Sequence, residues 1–552
     1  MKVAEAVGRT LAQLGVGQVF GVIGSGNFHV TNALIAGGAR FIAARHENGA
    51  AMMADAYSRS TGTVSVVSLH QGCGLTNGLT GITEAAKSRS PVLVVSADTP
   101  PTQKASNFWI DQEAAVAALG AEVERIHTPG TAVDDAVRAY QRALQERRTV
   151  LLNLPLDVQE AEIEWSPDMV VGVPERFAPG PSSEAVRRLV ELLSSAERPV
   201  LVGGRGALAA GPALTRLADA CGALLATSAV ARGLFAGHRW NLDVIGGFAT
   251  PVAGELIQSA DVVVAFGASL NRWTTRNGTL LCPGTRVVQV DLDLAAIGHH
   301  RPADLGVIGD SAQVAEAVAA ALDKQGSTPT GYRTEEVAER LARGGRWCNI
   351  PYEDTGTDDR IDPRTLTIAL NDLLPMARVV VPDGGNFSGY PAMFLDVPDR
   401  YGFCLPLAFQ SIGLALPAAI GAGVAAPDRT AIAAVGDGGF MMSLTELDTA
   451  VRLALPLVVI VYNDDAYGAE VHHFGPEGFP VGTVLFPETD IAAIAQGFGC
   501  TAVAVRRVED LKGVSDWVQG PPDGPLLIDA KITSFPSWVL AHSFADETVT
   551  NP

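Results

Sequence analysis

The chain has 552 residues, 47% hydrophobic and 18% charged, with 40 basic against 60 acidic side chains and a formal net charge of −20. At roughly 100–200 residues per domain this length suggests three or four domains, and the composition excludes disordered and fibrous classes. No Lys/Arg run is long enough to track a phosphate backbone, which argues against nucleic acid; a polyanionic ligand would need a metal ion or backbone amides instead of a basic surface.

The N-terminal stretch 1–21 reads as an amphipathic helix followed by a strand, not as a signal peptide. Short β-branched runs then alternate with helical segments. Residues 18–24, 64–69, 92–97 and 150–155 read as buried strands in the first third, and 199–204, 262–267 and 287–293 in the middle. In the last third, 379–385, 431–439, 457–464 and 526–531 read the same way. Apolar strands separated by helices predict an α/β fold of parallel sheets covered on both faces, with ligand sites beyond the strands' carboxyl ends. Two segments read as linkers, the Pro/Gly-rich stretch 165–183 and the polar stretch 324–357. The uncharged stretch 401–427 carries Pro406, Pro417, Pro427 and Gln410, so it reads as buried core and no membrane partner is expected. Cys73, Cys221, Cys282, Cys348, Cys404 and Cys500 are scattered, as expected of single thiols in a reducing cytoplasm.

Two segments carry chemistry. In residues 45–62, Glu47 falls at a strand-to-helix junction, where a carboxylate can be half-buried beside an apolar wall. It can equally be a helix N-terminal acid that favours the dipole. In residues 431–470 a buried strand runs into Gly436–Asp437–Gly438 and a helix, and a second strand ends at Asn463–Asp464. Glycines there let a diphosphate approach backbone amides. Asp437 and Asp464 at two strand ends, with a backbone carbonyl, form half an octahedron for Mg²⁺ that diphosphate oxygens would complete.

Together these segments resemble the thiamine-diphosphate-dependent decarboxylases and carboligases: acetolactate synthase, pyruvate oxidase, benzoylformate decarboxylase, benzaldehyde lyase and pyruvate decarboxylase. The resemblance covers essentially the whole chain. It implies three doubly wound parallel-sheet domains: pyrimidine-binding (1–165), central (184–325) and diphosphate- and metal-binding (358–552). Carried over by residue, Glu47 resembles the glutamate that bonds the aminopyrimidine ring. Asp437 resembles the first metal ligand, Asp464 stands at the second, usually Asn, and the Ala466 carbonyl resembles the third. Ile412 resembles the apolar wedge that bends the cofactor. Asn386 and Ser388 lie in a segment resembling a diphosphate loop, with Gly436, Gly438, Gly439 and Tyr467 also on the cofactor side.

On the substrate side, Ser25 and His70 match positions of the benzoylformate decarboxylase type, where acetolactate synthases read SGPG around the second. Gln112 resembles the Gln of the acetolactate synthase FQE segment, and Glu470 a catalytic Glu of pyruvate decarboxylase. The stretches GASLN and GGFAT depart from the FAD-binding pattern, so FAD is not expected. The resemblance implies a thiamine diphosphate- and Mg²⁺-dependent, cytoplasmic carboligase or decarboxylase. It would act on a 2-oxo acid or aldehyde through an enamine, as a homodimer or dimer of dimers (a homotetramer) with shared active sites. A 2-hydroxyacyl-CoA lyase or benzaldehyde-lyase-type enzyme, and a noncatalytic cofactor-free paralogue acting as a binding subunit, remain as alternatives.

Overall fold

The computed structural model describes residues 1–326, 331–520 and 524–543. Residues 327–330 of the expected second linker, and 521–523 and 544–552 of the expected third domain, lie outside the described residues.

Each third of the chain builds one wholly parallel sheet. The first contains β1 (Gln18–Gly21), β2 (Arg40–Ala43), β3 (Ser65–Leu69), β4 (Val92–Asp98), β5 (Glu122–Arg125) and β6 (Val150–Pro155), in the order β2-β1-β3-β4-β6-β5. The second contains β7 (Pro199–Gly203), β8 (Leu224–Thr227), β9 (Asn241–Val244), β10 (Val262–Phe266), β11 (Arg286–Asp291) and β12 (Leu305–Ile308), ordered β12-β11-β10-β7-β8-β9. The third orders β13 (Arg378–Pro382), β14 (Thr430–Gly436), β15 (Leu457–Asn463), β16 (Thr501–Val505) and β17 (Leu526–Lys531) as β13-β14-β15-β17-β16. The central strands are buried along their whole length, for example β4, β10 and β15. That is why their sequences are continuous apolar runs without alternation.

The segment read as a second linker departs from that reading. Glu335–Gly344 is a helix, N-capped by the Thr334 hydroxyl, which accepts the Val337 N–H at 3.2 Å. Its Val337 and Leu341, with Tyr332, pack into the core of the second sheet. One apolar stripe on an otherwise charged helix is enough to fold it there.

The first and third sheets share a core through two helices, Glu47–Thr61 and Ala415–Ala425. They touch at Gly421, where any Cβ would collide with the Met53 carbonyl. A buried ionic knot seals the same boundary. Arg59 pairs with Asp55 at 2.6 Å and Glu84 at 2.7 Å and donates to the Leu405 carbonyl at 2.9 Å, while Glu84 accepts the Ala408 and Phe409 amides. Removing one partner of such a pair typically costs about 3–5 kcal/mol, because the other charge is left buried and uncompensated.

Candidate active site

Because β13, β14 and β15 are neighbours, their carboxyl ends bring three loops together: 383–388, 436–439 and 464–467. They open on a cleft of about 1560 Å³ that Gly384–Ser388, Ile412, Gly436–Gly439, Asp464 and Ala466–Glu470 line, and that continues to the central domain. These loops carry no Lys or Arg. Gly438 passes under the Tyr467 ring, where a Cβ would collide, and Gly468 packs on Asp464 in the same way. Tyr467 thereby walls the glycine turn, and its ring packs edge-on against Phe486 at 4.9 Å.

Asp437 is 9% exposed, and its Oδ1 is buried without a hydrogen-bond partner. Burial, then the nearby Asp464 carboxylate, push its carboxyl up to about 7, and burial pushes Asp464 up to about 6. Two desolvated acids side by side, one with an orphaned oxygen, are a donor set that a hard divalent cation would satisfy. Among the described residues no cluster of three His, Cys, Asp or Glu could hold a metal. At this place the protein offers two carboxylates and backbone oxygen. Asn463 is not an alternative to Asp464, because it is fully buried and its side chain joins Asp529 at 2.9 Å and the Asp465 N–H at 3.2 Å.

Two residues expected on the cofactor or substrate side are spent on structure. The Asn386 side chain donates to the Phe535 carbonyl at 2.8 Å and accepts the Ser537 N–H at 2.8 Å, tying down the C-terminal segment. Asn386 still lines the cleft, beside the half-buried Ser388. Gln112 is 3% exposed; its carbonyl accepts the Gly72 N–H at 2.7 Å, and its NH₂ bonds the Ala97 carbonyl and Asn153. With every polar atom used, Gln112 braces the loop after β3 and has no group left for substrate. Ile412 lines the cleft against Gly384, and Glu470 is exposed on its rim.

The first sheet gathers the other group. Its neighbouring strands β2, β1 and β3 end just before Glu47, Ser25 and His70. The buried Asn27 amide staples the Ser25 loop, accepting the Gly24 N–H at 2.8 Å and donating to Val22 and Ser68. His70 Nδ1 lies 2.9 Å from the Gln71 carbonyl, which can only accept, so Nδ1 carries a proton. In the neutral ring Nε2 then faces the Ser25 hydroxyl as acceptor, at 3.4 Å. Gly74 lies between His70 and Glu47: a Cβ there would stand 3.0 Å from the His70 side chain and 3.6 Å from the Glu47 carboxylate. Ser25, Glu47 and His70 do not line the cleft that Asp437 lines within one chain.

Sequence reasoning missed two contributors. Asn77 donates to Glu47 Oε2 at 3.1 Å, and nothing in its local pattern signals this. Asp383, fully buried, accepts the N–H groups of Gly384, Gly413 and Leu414 at 3.0, 2.7 and 3.3 Å and so holds the Ile412 turn. It opens the stretch 383–388 that holds Asn386 and Ser388, but two of its three partners lie thirty residues on.

Parallel strands whose glycine turns and paired acids open on one cleft define an α/β protein of the class that takes its ligand beyond the carboxyl ends of its strands. Family models for the thiamine pyrophosphate enzyme N-terminal, central and C-terminal domains match residues 1–119, 186–318 and 383–530. The chain belongs to the thiamine pyrophosphate enzyme family. It is 30% identical to a sulfoacetaldehyde acetyltransferase of Alcaligenes xylosoxydans xylosoxydans, over 93% of this chain and 89% of the relative. It is 32% identical to a probable 2-ketoarginine decarboxylase of Pseudomonas aeruginosa, over 92% and 89%. With the large subunit of acetolactate synthase isozyme 3 of Escherichia coli it shares 28%, over 84% and 82%.

Proposed function

We propose that this thiamine diphosphate-dependent enzyme uses Mg²⁺ and acts on a 2-oxo acid, as a decarboxylase or carboligase of the acetolactate synthase type. The single observation that carries the reading is the orphaned, buried Asp437 oxygen beside Asp464 on glycine-lined strand ends. Asp437, Asp464 and the Ala466 carbonyl would hold the cation, and the amides of 436–439 and 385–388 would receive the diphosphate. Bound there, thiamine diphosphate would supply an electron sink for cleaving the bond beside a substrate carbonyl. Glu47, oriented by Asn77, would hold a proton toward the aminopyrimidine, and Ile412 would shape the cofactor's seat. The Ser25–His70 pair would bind the substrate and move a proton at its carbonyl or carboxylate.

Glu47 and Asp437 of one chain do not share a cavity, which supports a site completed by a second copy. Exposed apolar side chains flank both groups: Ile23, Phe28 and Phe108 near Ser25 and His70, and Met441, Met442 and Phe474 near the metal loops. A second copy would cover both. An acyltransferase acting on sulfoacetaldehyde is the second reading, supported by the names of several relatives. Product analysis with a panel of 2-oxo acids, including 2-ketoarginine, each alone and with sulfoacetaldehyde or a second 2-oxo acid as acceptor, tests it. Turnover of a 2-oxo acid to an aldehyde or ligation product supports the proposal, and no turnover of any 2-oxo acid refutes it.

A further inference from the structure

The turn that delivers Glu47 is held from the far end of the chain. Glu446, 1% exposed, opens the short helix Glu446–Arg452. Its Oε1 accepts the backbone N–H groups of Arg45 at 3.1 Å and His46 at 3.0 Å, and its Oε2 accepts the Thr449 hydroxyl at 2.7 Å. Gly49 approaches this carboxylate so closely that a Cβ there would collide with it. The same helix also clamps the turn from outside: Asp448 pairs with the Arg45 guanidinium at 2.6 Å, and Arg452 donates to the Ala43 carbonyl at 2.6 Å. Those outer contacts already join the two domains. The buried one does something else. Charge-assisted bonds to two consecutive amides are directional, and these amides belong to the two residues immediately before Glu47.

We infer that Glu446 is a positioning residue for Glu47: by fixing the backbone of Arg45 and His46 it sets where the Glu47 carboxyl stands. This rests on the reading of Glu47 given above. Small displacements of a proton-transfer group lose large factors in rate, so the effect is expected on proton transfer and not on cofactor retention, which depends on the metal loops.

The test uses the full-length enzyme and four variants: Glu446→Gln, Glu446→Ala, Asp448→Asn and Glu47→Gln. Three quantities are read: hydrogen exchange of the peptide spanning 40–50 in the cofactor-free protein, affinity for thiamine diphosphate with Mg²⁺, and exchange of the bound cofactor's thiazolium C2 proton into deuterated solvent. Both Glu446 variants should speed amide exchange around Arg45 and His46 by about tenfold and slow C2-proton exchange by about tenfold or more. Their cofactor affinity should stay within about threefold of wild type. Asp448→Asn, which removes only the outer ion pair, should leave C2-proton exchange within about twofold. Should Glu446→Ala not fold, the nearly isosteric Glu446→Gln carries the test. C2-proton exchange at the wild-type rate in folded Glu446→Gln overturns the inference, as does an equal loss in Asp448→Asn. Glu47→Gln separates the two failures. If it exchanges at full rate, the reading of Glu47 itself is wrong; if it is slow while the Glu446 variants are not, only the positioning inference falls.

Discussion

Asp464 stands where the resembled enzymes usually carry Asn; burial pushes the Asp437 carboxyl up, and the Asp464 carboxylate beside it pushes it further in the same direction. Replacing Asp464 by Asn should preserve turnover while shifting the balance between metal and diphosphate affinity, because one repulsive charge and one attractive ligand charge leave together. Asp464→Ala should remove a coordinating oxygen and raise the Mg²⁺ concentration needed to retain thiamine diphosphate by about tenfold or more. Titrating cofactor affinity against Mg²⁺ for wild type, Asn and Ala variants reads both effects, and an Ala variant that titrates like wild type means Asp464 is no ligand. Glu47→Gln is nearly isosteric, so it should fold and bind cofactor while turnover falls by about 10²–10⁴. Which residue types would meet was legible at this scale; which atoms were free was not. Asn386 and Gln112 carry plausible amides in plausible motifs, yet their partners Ser537, Asn153 and Gly72 lie elsewhere in the chain, and only folding reveals that these amides are consumed.

Among elements, the central strands were readable because burial on both faces writes a continuous apolar run. The edges were not. β5 reads EVER and is half-buried throughout, β9 reads NLDV, and β16 reads TAVAV with most positions partly exposed. With solvent on one side and few residues, such strands carry no distinctive pattern. β8, LLAT, is buried but too short to stand out from its Ala-rich surroundings. Helix starts follow clearer chemistry. Asp362 caps Pro363–Leu373, accepting the Arg364 N–H at 2.7 Å, the Thr355 N–H at 2.9 Å and the Arg364 guanidinium. Burial alone would raise its pKa, but Arg364 and Thr355 more than offset this and hold it at about 2. The ionised cap therefore contributes stability that is full above the unfolded value near 4 and fades as pH falls toward 2, about 2 kcal/mol in all. Denaturation midpoints of wild type and Asp362→Asn should differ by a constant amount from pH 7 down to about 4 and converge below it. A difference that grows on acidification would contradict the ionised cap.

For the molecule as a whole, three parallel sheets in series follow from the strand–helix rhythm, while the joints between them do not. Glu84, paired with Arg59, with the amides of Ala408 and Phe409, and Glu446 with the amides of Arg45 and His46, bring together residues hundreds of positions apart. Within one chain, Glu47 lies outside the cleft that Asp437 lines. On the function proposed above, each active site would take Glu47 from one chain and Asp437 from another. Co-expressing Glu47→Gln with Asp437→Ala under different affinity tags, and purifying the doubly tagged assembly, tests it most directly. In a hybrid dimer one site inherits both substitutions and the other inherits neither. Each parent should be nearly inactive, and the hybrid dimer should recover about half of wild-type turnover. A folded hybrid dimer as inactive as its parents would contradict the account, because each site would then draw both residues from a single chain.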